Sequence, residues 1–498
     1  MPASGLLIDS PERSSRWGVV MRVALIAASI FVFASFTTAV PRAAAEPSPF
    51  ATAAPERLAA YLRIDTVNPP GNESRGVAYL KGLLDQAGIP SSSAESAPGR
   101  GNLWARLEGG DEPALILLHH IDVVPADARY WQTDPLAGAI DDDYIVGRGA
   151  LDMKGTGIMQ LQAFLALHAT GAPLRRDVVL VATADEEAGG AYGAGWLLEH
   201  HPEVFEGAGY LLNEGGNGML LGDQLIFSVE VTQKVPLWLR LTARGNPGHG
   251  STPQAVTAVT RLLKAGHRIA ETGFPPRVVP AVATMFEGLA PFQPEELRGR
   301  YANLTTAIGD EGFLRALQLS NPGAHALLRN TCSLTRLSGS EKINVVPTEA
   351  TLEIDCRLLP DQDPQEFIDD LAVVISDPAV EIETLMSFTP ASTAADTALY
   401  RDIERGVTER HPGALVVASV SPGFTDSHFF RDRGIASYGF SPVVVPPEDR
   451  GGIHGNNERI RVDTLVQGTE FMIDLVQRFA AKGYNSPRSD ASRSDTQR

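Results

Sequence analysis

The chain has 498 residues, of which 43% are hydrophobic and 20% are charged, with a formal net charge of −18 and a pI near 5.1. A single core stops growing near ~250–300 residues, so this length predicts two packed units. The acidic balance, without a run of lysine and arginine, disfavours nucleic acid and anionic membranes as partners, because phosphate binding needs basic patches.

The first 45 residues are typical of a secretory signal peptide. Three arginines precede an apolar run from Val23 to about Val40, and the small residues Ala43, Ala44 and Ala45 follow. This order of features directs export and ends in an Ala-x-Ala cleavage site. The alternative is an uncleaved anchor, because the apolar run approaches the ~18 residues that span a bilayer. We expect a periplasmic or secreted protein, without stable membrane insertion once the segment is removed.

After a Pro/Ala/Ser-rich spacer predicted at residues 46–54, helical patterns alternate with short apolar runs. The helical patterns are Glu56–Arg63, Arg75–Ala87 and Thr156–His168, and the apolar runs are Ala114–Leu118 and Asp177–Ala182. Apolar runs bounded by turns are typical of buried strands in a parallel sheet. Residues 55–232 are therefore predicted to form the first part of an α/β domain.

The pattern changes near residue 233, where alternating strands replace continuous apolar runs. The strand patterns are Leu237–Ala243, Ala350–Leu358 and Val380–Leu385, and the helical patterns are Pro253–Thr272 and Pro364–Ile375. Two strand–helix–strand units predict an α+β domain over residues 233–387, inserted into the larger one. The α/β pattern resumes over residues 388–483. The polar tail, residues 484–498, is expected to be disordered.

Only two cysteines are present, Cys332 and Cys356, so a thiolate zinc site and a disulfide scaffold are excluded. Both lie on predicted strands. Export permits a bond between them, but the sequence does not place their Cα atoms within bonding range. A disulfide and two free buried thiols therefore both stay open.

Polar clusters follow the predicted core strands. In His119-His120-Ile121-Asp122, the H-x-D spacing puts His120 and Asp122 on one side of an extended segment. Asp122 is then placed to hold the imidazole nitrogen that faces away from a metal. A second cluster, Asp185-Glu186-Glu187, puts three carboxylates at the end of a buried strand, where a cation would relieve their repulsion and desolvation.

Three more clusters contribute Asp152, Glu214 and His454, each beside glycines that permit close backbone approach. Each cluster alone has an ordinary explanation, such as a helix N-cap for Asp152. Together, two histidines and three carboxylates near the ends of core elements match the ligands of a mixed nitrogen and oxygen site for two metal ions.

These motifs resemble those of the zinc peptidase family M20, which includes acetylornithine deacetylase, succinyl-diaminopimelate desuccinylase, aminoacylase and glutamate carboxypeptidase. The branch of carboxypeptidase S and the N-acyl-amino-acid hydrolases is the most similar. The matching stretches, in the family's order, are H-x-D-V-V-P, G-R-G-x-x-D-M-K-G, D-E-E-x-G, N-E-G-G, G-x-P-G-H-x-S-x-P and the late histidine loop. The resemblance implies a phosphorylase/hydrolase-like mixed-sheet catalytic domain with an inserted ferredoxin-like lid or dimerisation domain.

The resemblance also implies the metal site. Asp152 would bridge two zinc ions, for which cobalt or manganese are alternatives, and its bond to the next residue would be cis. His120 and Glu214 would complete one site, and Glu187 and His454 the other.

The resemblance assigns catalytic roles as well. Glu186 would be the general base on a metal-bridging water, and Asp122 would orient the ligand histidine. His249 would donate to the oxyanion, from the partner subunit in dimeric relatives, so we expect a monomer or a homodimer through the lid domain. The alternative for His249 is an ordinary turn residue.

Substrate contacts follow from the same resemblance. Arg357, with Asn344, would hold a free carboxylate, to which a guanidinium binds in a bidentate manner. The alternative for Arg357 is a surface salt bridge on a lid strand. Thr425 is assigned a substrate contact.

The sequence departs from the family pattern in two places. His119 precedes the ligand histidine, at a position where many relatives have glycine. It is either a decoy ligand or a hydrogen-bond donor outside the set of metal ligands. The stretch from Val282 to Arg329 is longer than a minimal lid needs. Its apolar residues either line a pocket for bulky or acyl-chain substrates or form a small helical core; they are Phe286, Leu289, Phe292, Leu314 and Leu317.

The implied activity is hydrolysis of an amide bond beside a free carboxylate, in small peptides or N-acyl amino acids. One alternative is a biosynthetic deacylase of the cytoplasmic type, which the export signal disfavours. Another is a catalytically inactive protein that binds carboxylates, which the presence of Glu186 and all five ligands disfavours.

Overall fold

A computed structural model describes residues 46–141 and 143–484. The predicted signal peptide and residues 485–498 of the predicted tail lie outside the described residues. In the described part of the chain, no helix combines the length and the apolarity that crossing a membrane requires.

The first part of the chain alternates helices with strands, all of which join the main sheet except β4 and β5, which belong to a small separate sheet. Its elements are α1 (Pro49–Leu62), α2 (Glu73–Gln86), β1 (Ser91–Glu95), β2 (Gly101–Leu107), β3 (Glu112–His120), β4 (Ala139–Asp141), β5 (Tyr144–Val146), α3 (Lys154–Thr170), β6 (Arg176–Thr183), α4 (Ala194–His200), β7 (Ala208–Asn213), β8 (Gly218–Leu221) and β9 (Gln224–Gln233). The predicted spacer is wrong from residue 49 onward, because α1 begins there. The Ser48 side chain caps this helix, and Ala51 and Ala54 are buried in the core.

The middle part forms a second, smaller sheet and a group of helices. Its elements are β10 (Val235–Arg244), β11 (Gly248–His249), α5 (Ala258–Glu271), α6 (Pro280–Leu289), α7 (Glu295–Ala302), α8 (Leu304–Ala307), α9 (Glu311–Ser320), α10 (Pro322–Ala326), β12 (Thr331–Ser338), β13 (Val345–Val346), β14 (Glu349–Leu358), α11 (Pro364–Ile375) and β15 (Val380–Ser387).

The last part returns to the main sheet with β16 and β17, while β18 pairs with β5 in the small separate sheet. Its elements are α12 (Ala398–Arg410), β16 (Leu415–Ser421), α13 (Ser427–Arg431), β17 (Ala436–Gly439), α14 (Pro447–Arg450), β18 (Arg459–Arg461) and α15 (Val462–Ala480).

The main sheet is mixed. In the described residues its strand order is β1-β2-β6-β3-β7-β17-β9-β16, and β8 pairs with β9. Its centre is parallel: β3 runs parallel to both β6 and β7, while β1 and β2 add antiparallel pairs at one edge. Helices α1, α3 and α15 cover one face, and α4 and α13 cover the other. The predicted α/β fold class, with a mixed-sheet domain and an α+β insertion, is confirmed.

The smaller sheet is antiparallel, with the order β12-β14-β10-β15. Along β10, Leu237, Leu239 and Leu241 alternate onto a buried face, which packs against α5 and α11. We call residues 233–387 the lid domain. Its other sheet face carries polar and charged side chains, among them Arg240 and Glu353.

The long stretch within the lid domain folds into a helical core, as one of the two sequence-based alternatives proposed. Phe286, Leu314 and Leu317 are buried in it, and Leu289 and Phe292 are partly buried. The same core includes Val420 of β16, so the helices also pack on the edge of the main sheet. These apolar side chains are engaged with one another.

Cys332 and Cys356 face each other on the neighbouring strands β12 and β14. Their Cα atoms are 4.0 Å apart and the two residues form a disulfide. The pair therefore closes the lid sheet covalently at its edge strand.

Candidate metal centre

Three adjacent parallel strands bring their polar ends to one edge of the main sheet. Strand β3 ends at His120, β6 is followed by Glu186 and Glu187, and β7 is followed by Glu214. Open α/β sheets bind ligands at this edge, beyond the carboxyl ends of their strands. The segment before α3 adds Asp152.

Asp152 stands between two histidines and offers each a different oxygen. Its Oδ1 lies 3.1 Å from His120 Nε2, and its Oδ2 lies 3.2 Å from His454 Nε2. Glu187 Oε2 is 3.1 Å from the nitrogen of His454, and Glu214 Oε1 is 3.4 Å from that of His120. The five residues predicted as metal ligands therefore converge on one cluster.

The donor atoms of this cluster suit divalent cations. Ligand atoms of His120, Glu186 and Glu214 lie within 4.8 Å of one another, as do those of His120, Asp152 and Glu187. Glu187 Oε1 is buried without a hydrogen-bond partner among the described residues. Imidazole nitrogens and carboxylate oxygens together suit zinc, cobalt or manganese.

The electrostatics also favour a cation. Burial, followed by the charge of Glu214, raises the pKa of Glu186 well above its usual value. Burial and the charge of Asp152 raise the pKa of Glu214 to about 8. The carboxylates repel one another in a partly buried site, and positive charge placed among them removes that cost.

Asp122 contacts the site differently from the sequence-based expectation. The group nearest to His120 Nδ1 is the backbone carbonyl of Asp122, at 2.9 Å, while the carboxylate Oδ1 lies at 3.6 Å. The carboxylate instead accepts from the amides of Glu186, at 3.1 Å, and Glu187, at 3.2 Å, and from Asn68 Nδ2, at 2.8 Å. Asp122 thus holds both the ligand histidine and the turn that follows β6.

His119 is not a metal ligand here. Successive side chains of a strand point to opposite faces, so His119 leaves the cluster that its neighbour His120 enters. Its ring is fully buried, lies edge-on to Tyr61 and contacts Gly157, where a Cβ atom would come within 2.5 Å of it. Burial lowers the pKa of His119 to about 3, so the ring is neutral.

The sequence-predicted residues of the lid domain lie apart from the ligand cluster. His249 is exposed on β11, and its Nδ1 is 2.7 Å from Ser251 Oγ. Asn344 is also exposed, and its carbonyl accepts from Gly250 at 2.8 Å. Within the described ranges, no hydrogen bond or ion pair joins either side chain to a predicted metal ligand.

Arg357 makes a bidentate salt bridge on its own strand. Its Nε and Nη2 lie 2.7 and 3.1 Å from the two carboxylate oxygens of Asp355, and its guanidinium stacks over Phe424 at 5.1 Å. Thr425 is buried, and its hydroxyl donates to Gln233 Oε1 at 3.1 Å. The ion pair that the sequence left as an alternative for Arg357 is therefore present.

Two buried acids at the site were not singled out from the sequence. Glu458 accepts hydrogen bonds from the backbone around Asp152. Asp426 accepts from Thr183 Oγ1 at 3.0 Å, at the end of β6. Glu458 lies four residues after His454, and Asp426 directly follows Thr425. Their charge and their position beside these motifs are the only features of the sequence that could have indicated them. The Asp152–Met153 peptide bond is cis, as the resemblance implied.

Comparison with known proteins identifies the family. The sequence profile of peptidase family M20/M25/M40 matches residues 116–478. The chain is 32% identical to N-fatty-acyl-amino acid synthase/hydrolase PM20D1 of Xenopus tropicalis over 450 residues, 87% of each chain. It is 29% identical to aminoacylase-1 of Sus scrofa over 429 residues, 84% of this chain and 94% of that one.

Solved structures share the fold. The M20 family metallo-carboxypeptidase Sso-CP2 from Sulfolobus solfataricus superposes with a TM-score of 0.69 at 18% identity, covering 86% of this chain and 99% of that one. Human carnosine dipeptidase 1 superposes with a TM-score of 0.60 at 16% identity, over 86% and 98% of the two chains. The chain belongs to peptidase family M20/M25/M40, and it is a hydrolase that acts on amide bonds.

Proposed function

We propose that the chain is a dinuclear zinc hydrolase that cleaves the amide bond of N-acyl amino acids or small peptides beside a free carboxylate. The observation that carries this proposal is the position of Asp152, which faces His120 with one oxygen and His454 with the other. One carboxylate with a histidine on each side is the arrangement that a bridging ligand needs.

Relatives support N-acyl amino acids as the leading substrate class. The sequence relatives reported above are named for hydrolysis of N-fatty-acyl amino acids and as an aminoacylase, and each is covered over most of its length. The structural neighbours are a carboxypeptidase and a dipeptidase, which support small peptides as the second class. Both classes present an amide next to a carboxylate.

The residues of the chain divide the chemistry among them. When bound, the metal ions acidify water and polarise the amide carbonyl. Glu186 stands at the cluster with Oε2 3.9 Å from His120 Nε2, where its carboxylate takes a proton from the attacking water and passes it to the leaving nitrogen. Asp122 fixes that carboxylate through the backbone amides of Glu186 and Glu187.

A substrate screen tests the proposal. Purified protein, freed of metal and reloaded with zinc, cobalt or manganese, is assayed against N-acyl amino acids, their C-terminal amides and dipeptides. We expect hydrolysis of free-carboxylate substrates to exceed that of the matched amides, and chelation to abolish it. Hydrolysis that survives complete metal removal would exclude the proposal.

Arg357 is proposed to bind the carboxylate of the substrate. The substrate must then displace Asp355 from the guanidinium or bind to the guanidinium together with it. We expect Arg357→Ala to raise KM for N-acyl amino acids by about 10–100-fold, because a hydrogen bond to a charged group contributes about 1.5–3 kcal/mol. The matched amides should change little. Steady-state kinetics on both substrate sets measure the difference.

Asp355→Ala provides the matched control for Arg357→Ala. It removes the same salt bridge but leaves the guanidinium, so its KM for carboxylate substrates should not rise. An equal loss in both variants, on acids and amides alike, would reduce Arg357 to a structural ion pair.

We also propose that the active form is a homodimer through the lid domain. His249, the proposed oxyanion donor, is exposed and makes no hydrogen bond to the ligand cluster within the described residues, which fits a residue that serves a second copy. Co-expressed chains carrying Glu186→Gln and His249→Ala should then regain about one quarter of wild-type activity, because about half of the dimers are mixed and one of the two sites in each mixed dimer is intact.

Sedimentation of the wild-type chain accompanies that complementation assay. A monomer, or mixed chains no more active than the better single variant, would contradict a donor in trans. A His249→Ala chain with unchanged kcat would contradict the donor role itself.

Export is proposed on two grounds. The first 45 residues have the charge and apolar pattern of a signal peptide. The Cys332–Cys356 disulfide suits an oxidising compartment outside the cytosol. Fractionation of cells expressing the full chain, with N-terminal sequencing of the mature protein, tests both export and cleavage.

A further inference from the structure

We infer that Arg148 and Glu458 form a reciprocal clasp that sets the spacing between Asp152 and His454, and so determines the affinity of the metal site that these two ligands share. The inference rests on the proposed dinuclear site. The clasp is defined as these two side chains and the backbone groups that they bind. Both are positioning residues, because each acts on a ligand through the backbone.

Glu458 holds the segment that carries Asp152. Its side chain is fully buried, and Oε1 accepts from the amide of Leu151 at 2.7 Å and from that of Asp152 at 3.0 Å. Its other oxygen accepts from the amide of Gly149 at 3.0 Å and from Arg148 Nη1 at 2.8 Å. Three backbone amides of one turn are therefore fixed by a carboxylate that lies more than three hundred residues away in sequence.

Arg148 holds the loop that carries His454. Its side chain is buried, and the guanidinium donates to the carbonyl of Gly452 at 3.3 Å and to that of Gly455 at 2.7 Å. These two carbonyls lie on either side of His454. The guanidinium also stacks over Trp131 at 5.2 Å, which restricts its orientation.

The two contacts are reciprocal. The Asp152 segment supplies the cation that holds the His454 loop, and the His454 segment supplies the anion that holds the Asp152 turn. A buried ion pair is costly in desolvation and adds little stability by itself. Here the charges satisfy five backbone groups of two ligand-bearing segments, which points to positioning as their role.

The His454 loop needs such support more than the other ligands do. His454 has a backbone φ of 54°, a left-handed conformation that is unfavourable for residues with a Cβ, and its side chain is 55% exposed. His120, by contrast, lies on strand β3 of the main sheet and is buried. Weakening the clasp should therefore affect the ion at Glu187 and His454 more than the ion at His120 and Glu214.

The test compares metal binding by the full chain and by Glu458→Gln and Arg148→Lys. Metal-free protein is titrated with cobalt(II), followed by calorimetry and by the visible absorption of the bound ion. We expect two ions per wild-type chain. Each variant should bind one ion with nearly unchanged affinity and the second about 10–100-fold more weakly, as is typical when a group that supports a ligand is lost.

A second readout needs no metal. In hydrogen exchange on metal-free protein, the peptide that contains the amides of Leu151 and Asp152 should lose protection in Glu458→Gln, while peptides of β3 keep theirs. Asp474→Asn is the control, since it removes a buried carboxylate of the final helix, α15, that pairs with Arg410, Arg478 and Tyr484. This variant should match the wild type in both readouts.

The outcomes separate the clasp from the proposed function. A wild-type chain that binds two ions, with variants that lose both equally or neither, overturns the clasp and leaves the dinuclear site standing. A wild-type chain that binds fewer than two ions overturns the dinuclear site, and unchanged exchange at Leu151 and Asp152 in Glu458→Gln then overturns the clasp as well. If Glu458→Gln fails to fold, the same comparison is made with Arg148→Lys. Lysine keeps the positive charge but lacks the planar guanidinium that donates to two carbonyls at once.

Discussion

The Glu186→Gln variant should bind two metal ions as the wild type does and yet hydrolyse substrate about 10²–10⁴-fold more slowly, the usual contribution of a positioned general base. Glutamine keeps the size of the side chain and cannot accept the proton of the attacking water. The loss should fall on kcat, with KM nearly unchanged, because substrate binding does not depend on this proton. Stopped assays on an N-acyl amino acid, with metal analysis of the same sample, measure both quantities.

Glu203→Gln is the matched control, because it makes the same chemical change at an exposed glutamate outside the ligand cluster. Its kcat should equal that of the wild type. A Glu186→Gln chain that keeps its rate would remove Glu186 as the base. A chain that loses metal along with activity would instead make Glu186 a ligand, as its place in the group with His120 and Glu214 allows.

The fold was predictable where the sequence pattern is strong. The apolar runs that became the core of β3 and β6 are continuous because helices cover both faces of the sheet. The start of α1 was missed, since a Pro/Ala/Ser-rich stretch is typical of a spacer. A serine cap and a proline in the first turn let the helix begin at Pro49, and burial of its alanines keeps it there.

The sequence predicted which residues form the ligand cluster, but not the contacts that position them. The residues themselves could be named, because each belongs to a short motif that contains its chemistry. The contacts that hold them in place could not, as the carboxylates of Asp122 and Glu458 show. Both accept from backbone N–H groups, which every residue except proline has, so no local pattern distinguishes the segment that each one holds.

Asp152→Asn is the change with the largest expected effect, because it alters both proposed metal sites at once. We expect zinc to bind at least about 100-fold more weakly at each site. This loss of affinity exceeds the one expected when only a residue that supports a ligand is changed. Asparagine has one side-chain oxygen, whereas the carboxylate of Asp152 places one oxygen beside each histidine. Activity should fall by about 10⁴-fold or more, since neither the acidified water nor the polarised carbonyl remains.

Thermal unfolding gives a second measure of Asp152→Asn that does not depend on substrate. Zinc at a thousand times its dissociation constant should stabilise the wild-type chain by about 4 kcal/mol, and Asp152→Asn should show almost none of this shift. Asp177→Asn, which removes an acid paired with Arg106 at the opposite end of β6, should keep the full shift. If the Asp152→Asn chain retained two tightly bound ions and the zinc-dependent shift, the two cations would have to be held without a shared carboxylate. The proposed bridging role of Asp152 would then be wrong.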